Sequence, residues 1–372
     1  MQIKGGRAFI DGAFAEMDVF IEGDRFAEAA ISGGEVIDAS GFYVVPGFVD
    51  LHFHGCMAAD CCDGATDTFS TLARYEASRG VTAICPATMT YPETVLEPIM
   101  DAAAAFEPAD DEAALVGLNM EGPFISPNKV GAQNPAYVQP CDADMMRRLM
   151  ERSGGLVKLV DIAPEEPGAF DFIRAMAGDV RVSLAHMCAD YDYAREAFEL
   201  GARQLTHLYN AMPGLHHRNP GPIAAAAERD DVVAEVIADG VHVHPSMVRL
   251  AFNMFGPDRV ALISDSMRAC GMGNGVFDLG GQDVHVDGKL ATLADGTIAG
   301  SVTDLAACLQ VAVCDMGIPL EDALTAATLT PARALGIDAG RGSIAPGKIA
   351  DAVLLDEGLN VRGVIVRGKN IS

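Results

Sequence analysis

The feature that most constrains the fold is a regular alternation of short apolar runs with helix-like stretches through the middle of the chain. Eight runs are short and rich in leucine or β-branched residues, namely 43–54, 81–86, 114–121, 156–163, 180–186, 203–207, 232–239 and 259–265. Between most of them lie stretches long enough for a crossover helix, such as 67–80, 92–106, 142–153 and 191–200. Eight parallel strands that alternate with helices close into a barrel. The pattern therefore predicts an α/β fold with a TIM-type (β/α)8 barrel.

The two ends of the chain have a different pattern of polar and apolar residues. Residues 1–44 alternate polar and apolar positions in short bursts that Gly and Asp separate, which is typical of antiparallel strands. Residues 340–372 return to short strand-like segments, GSIAPGKIADAVLLD and VRGVIVRGKNI. We therefore predict a small β-sandwich domain built from 1–44 and 340–372, and a metal-dependent barrel domain over 45–339.

The composition argues against several classes of function. The chain has 26 basic and 52 acidic residues and a net charge of −26, so no broad basic surface is available and nucleic acid is not an expected partner. No apolar run reaches the ~18 residues that cross a bilayer, and the start MQIKGGRAFI does not resemble a signal peptide, so no membrane partner is expected. Nine cysteines without a C-x-x-C pair favour a reducing compartment, and we predict a cytoplasmic location.

The predicted strands end in side chains that bind metals or transfer protons, which are His52, His54, Glu121, His186, His207 and Asp265. The carboxyl ends of barrel strands converge on one mouth, so these residues should meet there. His52 and His54 are two residues apart and share a face of their strand. Imidazole and carboxylate together are a donor set that zinc prefers. We therefore predict a divalent metal site at the mouth.

At some of these positions a purely structural role competes with the functional interpretation. Asp265 would suit a proton-transfer role beside a metal, but Asp265-Ser266 would also suit the start of a helix. Cys56, Cys61 and Cys62 follow the histidine pair, yet free cysteines usually act as small buried hydrophobes, so we do not expect them to bind the metal.

Arg218 is one of few cations near the predicted mouth, in the turn 213–222 after the sixth run. Its planar guanidinium suits phosphate oxygens. A solvated loop arginine paired with an acid is the alternative, and the position alone does not choose between them.

Several strings in the chain have a specific order and spacing. They are PGFVD at 46–50 running into HFHG at 52–55, EGPF at 121–124, GAQ at 131–133, THLYNAM at 206–212, ADGVH at 238–242 and TIAGS at 297–301. Over nearly its whole length the chain resembles the N-acetylglucosamine-6-phosphate deacetylase family of the amidohydrolase superfamily. EGPF and THLYNAM are the specific signals, whereas GSIAPGKIAD at 342–351 identifies the superfamily alone.

The resemblance implies hydrolysis of the acetamide of N-acetylglucosamine 6-phosphate to glucosamine 6-phosphate and acetate, by metal-activated water with Asp265 as the acid/base residue. Glu121, His186 and His207 would bind the main ion, and His52 and His54 permit a second ion that Glu121 bridges. Zinc is the first choice of metal, with iron, manganese and cobalt as alternatives. One or two ions are compatible with these ligands.

The resemblance also implies substrate contacts at Ala132, Gln133, Asn210, Ala211, Arg218, His242, Ile298, Ala299 and Gly300. Some family members have a histidine in place of Gln133, and because an amide carries no titratable charge, we expect Gln133 to orient the substrate. The resemblance further implies a homodimer, in which Arg218 and His242 would serve the neighbouring pocket.

Three other functions stay open. The same chemistry could act on another N-acetylhexosamine phosphate, such as the galactosamine epimer, or on an N-acyl amino acid. A catalytically silent scaffold is the third alternative. The complete set of candidate ligands argues against it.

Overall fold

The computed structural model describes residues 1–29 and 33–372. The N-terminal strands are β1 (Gln2–Lys4), β2 (Arg7–Ile10), β3 (Ala13–Glu16), β4 (Val19–Glu22), β5 (Arg25–Ala27), β6 (Val36–Asp38) and β7 (Tyr43–Pro46). The central strands are β8 (Phe48–Asp50), β9 (Gly55–Cys56), β10 (Ala59–Asp60), β11 (Val81–Ile84), β12 (Ala87–Thr88), β13 (Ala114–Leu115), β14 (Leu118–Glu121), β15 (Val157–Ile162), β16 (Arg181–Leu184), β17 (Gln204–Leu205), β18 (Val233–Ile237) and β19 (Val260–Ile263). They are followed by β20 (Gly275–Leu279), β21 (Gln282–Asp287), β22 (Leu290–Thr292), β23 (Ala352–Leu355), β24 (Val361–Val366) and β25 (Lys369–Asn370).

The helices lie mainly between the central strands and after them. They are α1 (Thr66–Ser78), α2 (Glu93–Ala105), α3 (Ala143–Arg152), α4 (Ala169–Met176), α5 (Tyr191–Leu200), α6 (Gly221–Ala227), α7 (Pro245–Phe255), α8 (Leu305–Cys314), α9 (Leu320–Ala327) and α10 (Leu329–Ala334). Within residues 1–29 and 33–372, none of them combines the length and the apolar character that a membrane span requires.

Apart from β9 and β10, which form a separate antiparallel pair, the central strands form two parallel sheets that share chain segments. Seven strands pair in the order β12-β14-β15-β16-β17-β18-β19, and three pair in the order β13-β11-β8. Cys85 and Pro86 separate β11 from β12, and Val116 and Gly117 separate β13 from β14, so two segments contribute to both sheets. Asn119 N donates to Pro86 O at 3.0 Å across the first of these breaks. All eight predicted runs therefore contribute parallel strands, and the predicted α/β fold class is confirmed.

Helices pack against the central strands, for example α7 against β18 and α9 against β19. Every residue of β18 and β19 is buried, as expected for parallel strands with both faces covered. Helix α5 buries Ala194, Ala197 and Phe198, which are spaced to lie on one helical face. Its N-terminus is capped by Asp190, whose side chain accepts hydrogen bonds from two backbone amides. The four helices predicted at 67–80, 92–106, 142–153 and 191–200 are confirmed as α1, α2, α3 and α5.

Strands from both chain ends join in one six-stranded sheet with the order β25-β24-β23-β7-β2-β3. A four-stranded sheet, β5-β4-β1-β6, shares an apolar cluster with it that includes Ile3, Ile21, Val44 and Leu354. The expectation of antiparallel strands is wrong for two pairs, because β1 runs parallel to β6 and β2 runs parallel to β7. Alternation of polar and apolar residues reports which face of a strand is buried, but it does not report strand direction.

The run 43–54 divides between two sheets. Its first part is β7, which pairs with β2 and β23 in the terminal sheet, and its second part contains β8, which pairs with β11 in the central sheet. The three-stranded antiparallel sheet β20-β21-β22 was not anticipated. The sequence feature that could have predicted this sheet is the pair Gly280-Gly281. In the structure both glycines have positive φ, as the turn of a tight hairpin requires.

Candidate metal centre and substrate cavity

The predicted metal and acid/base residues all lie at the carboxyl ends of central strands. Glu121 is the last residue of β14, whereas the others follow strands β8, β16, β17 and β19 within four residues. All are buried, with exposed fractions of 0% for His52, 3% for His54, 3% for Glu121, 5% for His186, 4% for His207 and 7% for Asp265. The structure therefore brings together six residues that are far apart in the sequence.

Glu121 is the centre of the cluster. Its Oε1 lies 3.0 Å from His186 Nε2 and 3.0 Å from His207 Nε2, and these two nitrogens are 3.1 Å apart. Its Oε2 lies 3.2 Å from His54 Nε2. One carboxylate thus contacts imidazoles on both sides, which is the arrangement of a bridging ligand.

The second group of candidate ligands comprises His52, His54 and Asp265. Asp265 Oδ1 lies 3.3 Å from His54 Nε2 and 3.7 Å from His52 Nε2. Within this group, and within the group of Glu121, His186 and His207, the candidate ligand atoms all lie within 4.8 Å of one another. Two adjacent groups of three donors could therefore hold two ions.

Three of these residues have a backbone conformation that L-residues rarely adopt. The φ angles are 43° for His186, 30° for His207 and 48° for Asp265. Such a conformation costs about 1–3 kcal/mol at each residue and persists only where the surrounding structure enforces it. At Asp265 the backbone is held by its own N–H, which donates to His52 O at 3.0 Å, and by Ser301 N, which donates to Asp265 O at 2.7 Å. Strain concentrated at these positions is characteristic of a functional site.

The donor atoms suit a divalent cation. His54 Nδ1 lies 3.3 Å from Ala87 O and His186 Nδ1 lies 2.9 Å from Lys129 O, so protonation at Nδ1 leaves each Nε2 as a lone-pair donor. His52 Nε2 is buried and has no hydrogen-bond partner in the part of the chain that the structure describes. A buried polar atom without a partner is costly, and a cation would satisfy it.

The charges in the cluster are strongly coupled. Burial opposes the charged form of each group, yet Asp265 and Glu121 raise the pKa of His54 to about 10. Similarly, Glu235 and Glu121 raise the pKa of His52 well above its usual value despite burial. The surrounding histidines hold the pKa of the Glu121 carboxyl well below its usual range. Positive charge is therefore favoured here, and a metal ion can supply it in place of protons.

A cavity of about 360 Å³ opens above the cluster. Its lining includes seven of the predicted substrate contacts, which are Ala132, Gln133, Asn210, Ala211, His242, Ile298 and Gly300. Ala299 is fully buried behind this lining. The volume lies within the range of ordinary small-molecule sites.

Two of the lining residues make defined polar contacts. Gln133 Oε1 accepts a hydrogen bond from Thr90 N at 2.7 Å, and its Nε2 donates to Glu121 Oε2 at 2.7 Å. Gln133 therefore also orients a candidate metal ligand, in addition to its predicted role towards substrate. His242 Nδ1 donates to Asp239 Oδ2 at 2.8 Å, and this contact raises the pKa of His242 against the opposing effect of burial.

Comparison with known proteins identifies the relatives of this chain. The profile of the amidohydrolase family matches residues 43–371. The N-acetylglucosamine-6-phosphate deacetylase of Bacillus subtilis is 36% identical over 330 residues, which is 87% of this chain and 83% of that protein. The chain belongs to the N-acetylglucosamine-6-phosphate deacetylase family of amidohydrolases. The resemblance recognised in the sequence is thus confirmed.

Other members of this deacetylase family extend the comparison. The N-acetylgalactosamine-6-phosphate deacetylase of Escherichia coli O157:H7 is 35% identical over 93% of each chain. The crystal structure of the Mycobacterium smegmatis N-acetyl-D-glucosamine-6-phosphate deacetylase has a TM-score of 0.91 and 30% identity, with 100% of both chains covered. A substituted form of that enzyme, in complex with N-acetyl-D-glucosamine-6-phosphate, has a TM-score of 0.90 over 100% of this chain and 98% of that one.

In this deacetylase-family chain Arg218 lies apart from the other predicted contacts. It is exposed, its guanidinium lies 2.8 Å from His217 Nε2, and it is not among the residues that line the cavity within the described ranges. Lys129, which the sequence analysis did not single out, does line the cavity. The sequence feature that could have pointed to Lys129 is its place between two family strings, EGPF at 121–124 and GAQ at 131–133.

Glu235 was also missed, although it contacts the metal-site residues directly. It is fully buried, and its Oε2 lies 2.9 Å from His52 Nδ1. In the sequence it is a single acidic residue inside an apolar run, and this signal does not reveal its partner.

Proposed function

We propose that the protein hydrolyses the acetamide of N-acetylglucosamine 6-phosphate to glucosamine 6-phosphate and acetate. The observation that carries this proposal is the convergence of Glu121, His186, His207 and Asp265 beneath one cavity, in a member of the deacetylase family. Each residue type suits one requirement of amide hydrolysis, because the reaction needs an activated water, a polarised carbonyl and a protonated leaving group.

The proposed cofactor is a divalent cation, with zinc as first choice and iron, manganese or cobalt as alternatives. Glu121, His186 and His207 would hold the first ion, and His52, His54 and Asp265 would hold a second one, with Glu121 shared. Imidazole nitrogen with carboxylate oxygen is a set that zinc and its neighbours accept. When bound, such a cation polarises the amide carbonyl and lowers the pKa of adjacent water.

The protein's own side chains would then move the proton. Asp265 takes the proton of the attacking water and passes it to the glucosamine nitrogen as the C–N bond breaks. The histidines favour the ionised form of Asp265 against the effect of burial and hold its pKa below the usual value, so it is ready to act as a base. His242, oriented by Asp239, lines the cavity of its own chain, so we propose that it binds the substrate there and not in the neighbouring pocket that the resemblance implied.

The phosphate would be bound by cations at the cavity mouth. Lys129 is the one lysine or arginine among the lining residues in the described part of the chain. We propose Lys129 as a phosphate contact within the chain. Arg218 retains its proposed phosphate role in a homodimer, because its exposed place on the loop 214–219 leaves its side chain accessible to a second copy.

The finer architecture is also a proposal. We infer that the two central sheets close into one (β/α)8 barrel, since Asp265 N donates to His52 O at 3.0 Å between the segments that follow β19 and β8. The domain division at 1–44 with 340–372, and 45–339, is supported by the sheet that both chain ends build. A cytoplasmic location stays a prediction, supported by the nine cysteines, all of which are free.

The galactosamine epimer is the second candidate substrate. It is favoured by one specific observation, the 35% identity to an N-acetylgalactosamine-6-phosphate deacetylase over 93% of each chain. Hydrolysis of N-acyl amino acids has no comparable support, because the cavity contains a cation suited to phosphate.

The test measures acetate release by the wild type and by Asp265→Asn across four sugars, namely the glucosamine and galactosamine epimers with and without phosphate. Asparagine preserves the size of the side chain and tolerates positive φ, so the substitution removes the proton carrier and one anionic ligand of the second ion but keeps the backbone conformation. We expect the wild type to prefer N-acetylglucosamine 6-phosphate and the variant to lose about 10²- to 10⁴-fold in kcat. Near-wild-type turnover by metal-loaded Asp265→Asn would contradict the proposal.

A further inference from the structure

Glu235 is a carboxylate buried in the interior of the central sheet, beneath the candidate ligands. It lies in the middle of β18 with an exposed fraction of 0%. Its Oε2 accepts hydrogen bonds from His52 Nδ1 at 2.9 Å and from His207 N at 3.2 Å, and its Oε1 accepts from Gln204 Nε2 at 2.5 Å. Burial of a carboxylate is costly unless hydrogen bonds satisfy it, and these three contacts give partners to both oxygens of Glu235.

His52 differs from the other ligand histidines in the group that faces its Nδ1. His54 and His186 each present Nδ1 to a neutral backbone carbonyl, of Ala87 and Lys129 respectively. His52 presents its Nδ1 to the Glu235 carboxylate. A carboxylate at this position fixes the tautomer and the ring orientation of a histidine and makes its Nε2 a stronger donor.

The free nitrogen of His52 faces the second group of ligands. Its Nε2 has no hydrogen-bond partner within the described residues, and it lies 3.8 Å from Glu121 Oε1 and 3.7 Å from Asp265 Oδ1. These separations are too long for hydrogen bonds but leave room for an ion between the three atoms. The ring is therefore held with its lone pair directed at the second candidate ion position.

We propose that Glu235 is the positioning residue of the second ion position, and that it selectively strengthens binding there by orienting His52 and adding a negative charge. The proposal rests on the metal centre of the proposed function. The carboxylates Glu121 and Asp265 together carry fewer negative charges than two divalent ions carry positive ones, and Glu235 reduces this imbalance on the side of His52.

The test compares metal binding by the full-length wild type and by Glu235→Gln. Each protein is stripped with a chelator and dialysed against buffered free zinc at increasing concentration, and zinc per chain is measured by elemental analysis. We expect the wild type to reach two ions per chain. In Glu235→Gln we expect the first ion to bind as in the wild type and the second to bind about 10- to 100-fold more weakly, the usual effect of removing such a partner.

A double variant that exchanges the charges of residues 235 and 204 distinguishes the loss of negative charge beside His52 from a loss of folding. In Glu235→Gln alone, the new amide faces the amide of Gln204, whose Oε1 already accepts from Arg181 Nε at 2.7 Å. Adding Gln204→Glu restores an acceptor for both neighbours and moves the negative charge away from His52. We expect the metal-free double variant to match the metal-free wild type in thermal unfolding, and to bind the second ion as weakly as Glu235→Gln.

Asp161→Asn is the matched control. Asp161 is a buried carboxyl on strand β15 of the same seven-stranded sheet, and it accepts a hydrogen bond from Thr206 Oγ1 at 2.8 Å and not from His52. We expect this variant to bind both ions with wild-type affinity.

The possible outcomes distinguish failure of the proposed metal centre from failure of the proposed role of Glu235. A folded wild type that binds no zinc would overturn the metal centre of the proposed function. The inference alone is overturned if the wild type saturates at one ion, if the double variant binds both ions with wild-type affinity, or if Glu235→Gln or Asp161→Asn weakens both positions equally. If Glu235→Gln fails to fold, the double variant decides.

Discussion

At the scale of single residues, Lys129 has the most direct consequence for specificity. Its backbone carbonyl contacts His186 Nδ1 and the residue belongs to the cavity lining, so the same residue adjoins both the candidate metal site and the proposed substrate site. A lysine bonded to a dianionic phosphate forms a charge-assisted hydrogen bond, which is stronger than a neutral one.

We expect Lys129→Ala to raise KM for N-acetylglucosamine 6-phosphate about tenfold and to leave kcat nearly unchanged, because the contact is the same in the ground state and the transition state. Steady-state kinetics on the phosphorylated and unphosphorylated sugars provide the measurement. The exposed Lys289→Ala, on the turn between β21 and β22, is the control. An equal KM change on the unphosphorylated sugar would argue against a phosphate contact.

At the scale of elements, the loop that follows β22 supports Asp265, the proposed acid/base residue. Ser301 N donates to Asp265 O, and a Cβ added at Gly300 would approach that same oxygen at 3.2 Å. Gly300 has a φ of +64°, which an L-residue adopts only under strain. The loop is therefore fitted closely to the backbone of Asp265.

We expect Gly300→Ala to lower kcat about 10- to 100-fold, because a small displacement of Asp265 misaligns the proton transfer. Gly296→Ala is a matched control on the same loop, since Gly296 has a φ of +87° but nothing within 4 Å of an added Cβ. It should lose about 1 kcal/mol of stability and keep its turnover. The measurements are kcat and thermal unfolding. Equal loss of turnover in both variants would show that strain, and not the contact with Asp265, is responsible.

At the scale of the whole molecule, the metal centre should couple binding to stability. The candidate ligands come from the ends of five different central strands, and their burial is complete or nearly so. Ions that bind the folded chain and not the unfolded one stabilise it by about 2.7 kcal/mol at a hundredfold excess over Kd.

We therefore expect chelation to lower the midpoint of thermal unfolding, and zinc to restore it. Magnesium should fail to restore it, because this ion prefers oxygen ligands to imidazole. Scanning calorimetry with elemental analysis of the same samples makes the measurement. An unchanged midpoint after confirmed removal of the metal would contradict the coupling.

Much of the fold and the site was accessible from the sequence because the signals were local. The eight apolar runs and four helices follow from periodicity, and Glu121, His186, His207 and Asp265 follow from their place at strand ends. Glu121 and His207 also lie within family strings. Each of these signals occupies a few consecutive residues, so one sequence is enough to detect it.

What only the tertiary structure decided depends on contacts between distant segments. Glu235 contacts His52 across 183 positions of sequence, and no local pattern encodes such a pair. The packing of distant segments also decides that β1 pairs in parallel with β6. It likewise decides that Lys129 lines the cavity and that Arg218 does not. The sequence by itself thus determined the fold class and the chemistry of the site, because strand periodicity and ligand type are local properties. The partners that orient those ligands were decided by tertiary structure, because orientation depends on neighbours that only folding brings together.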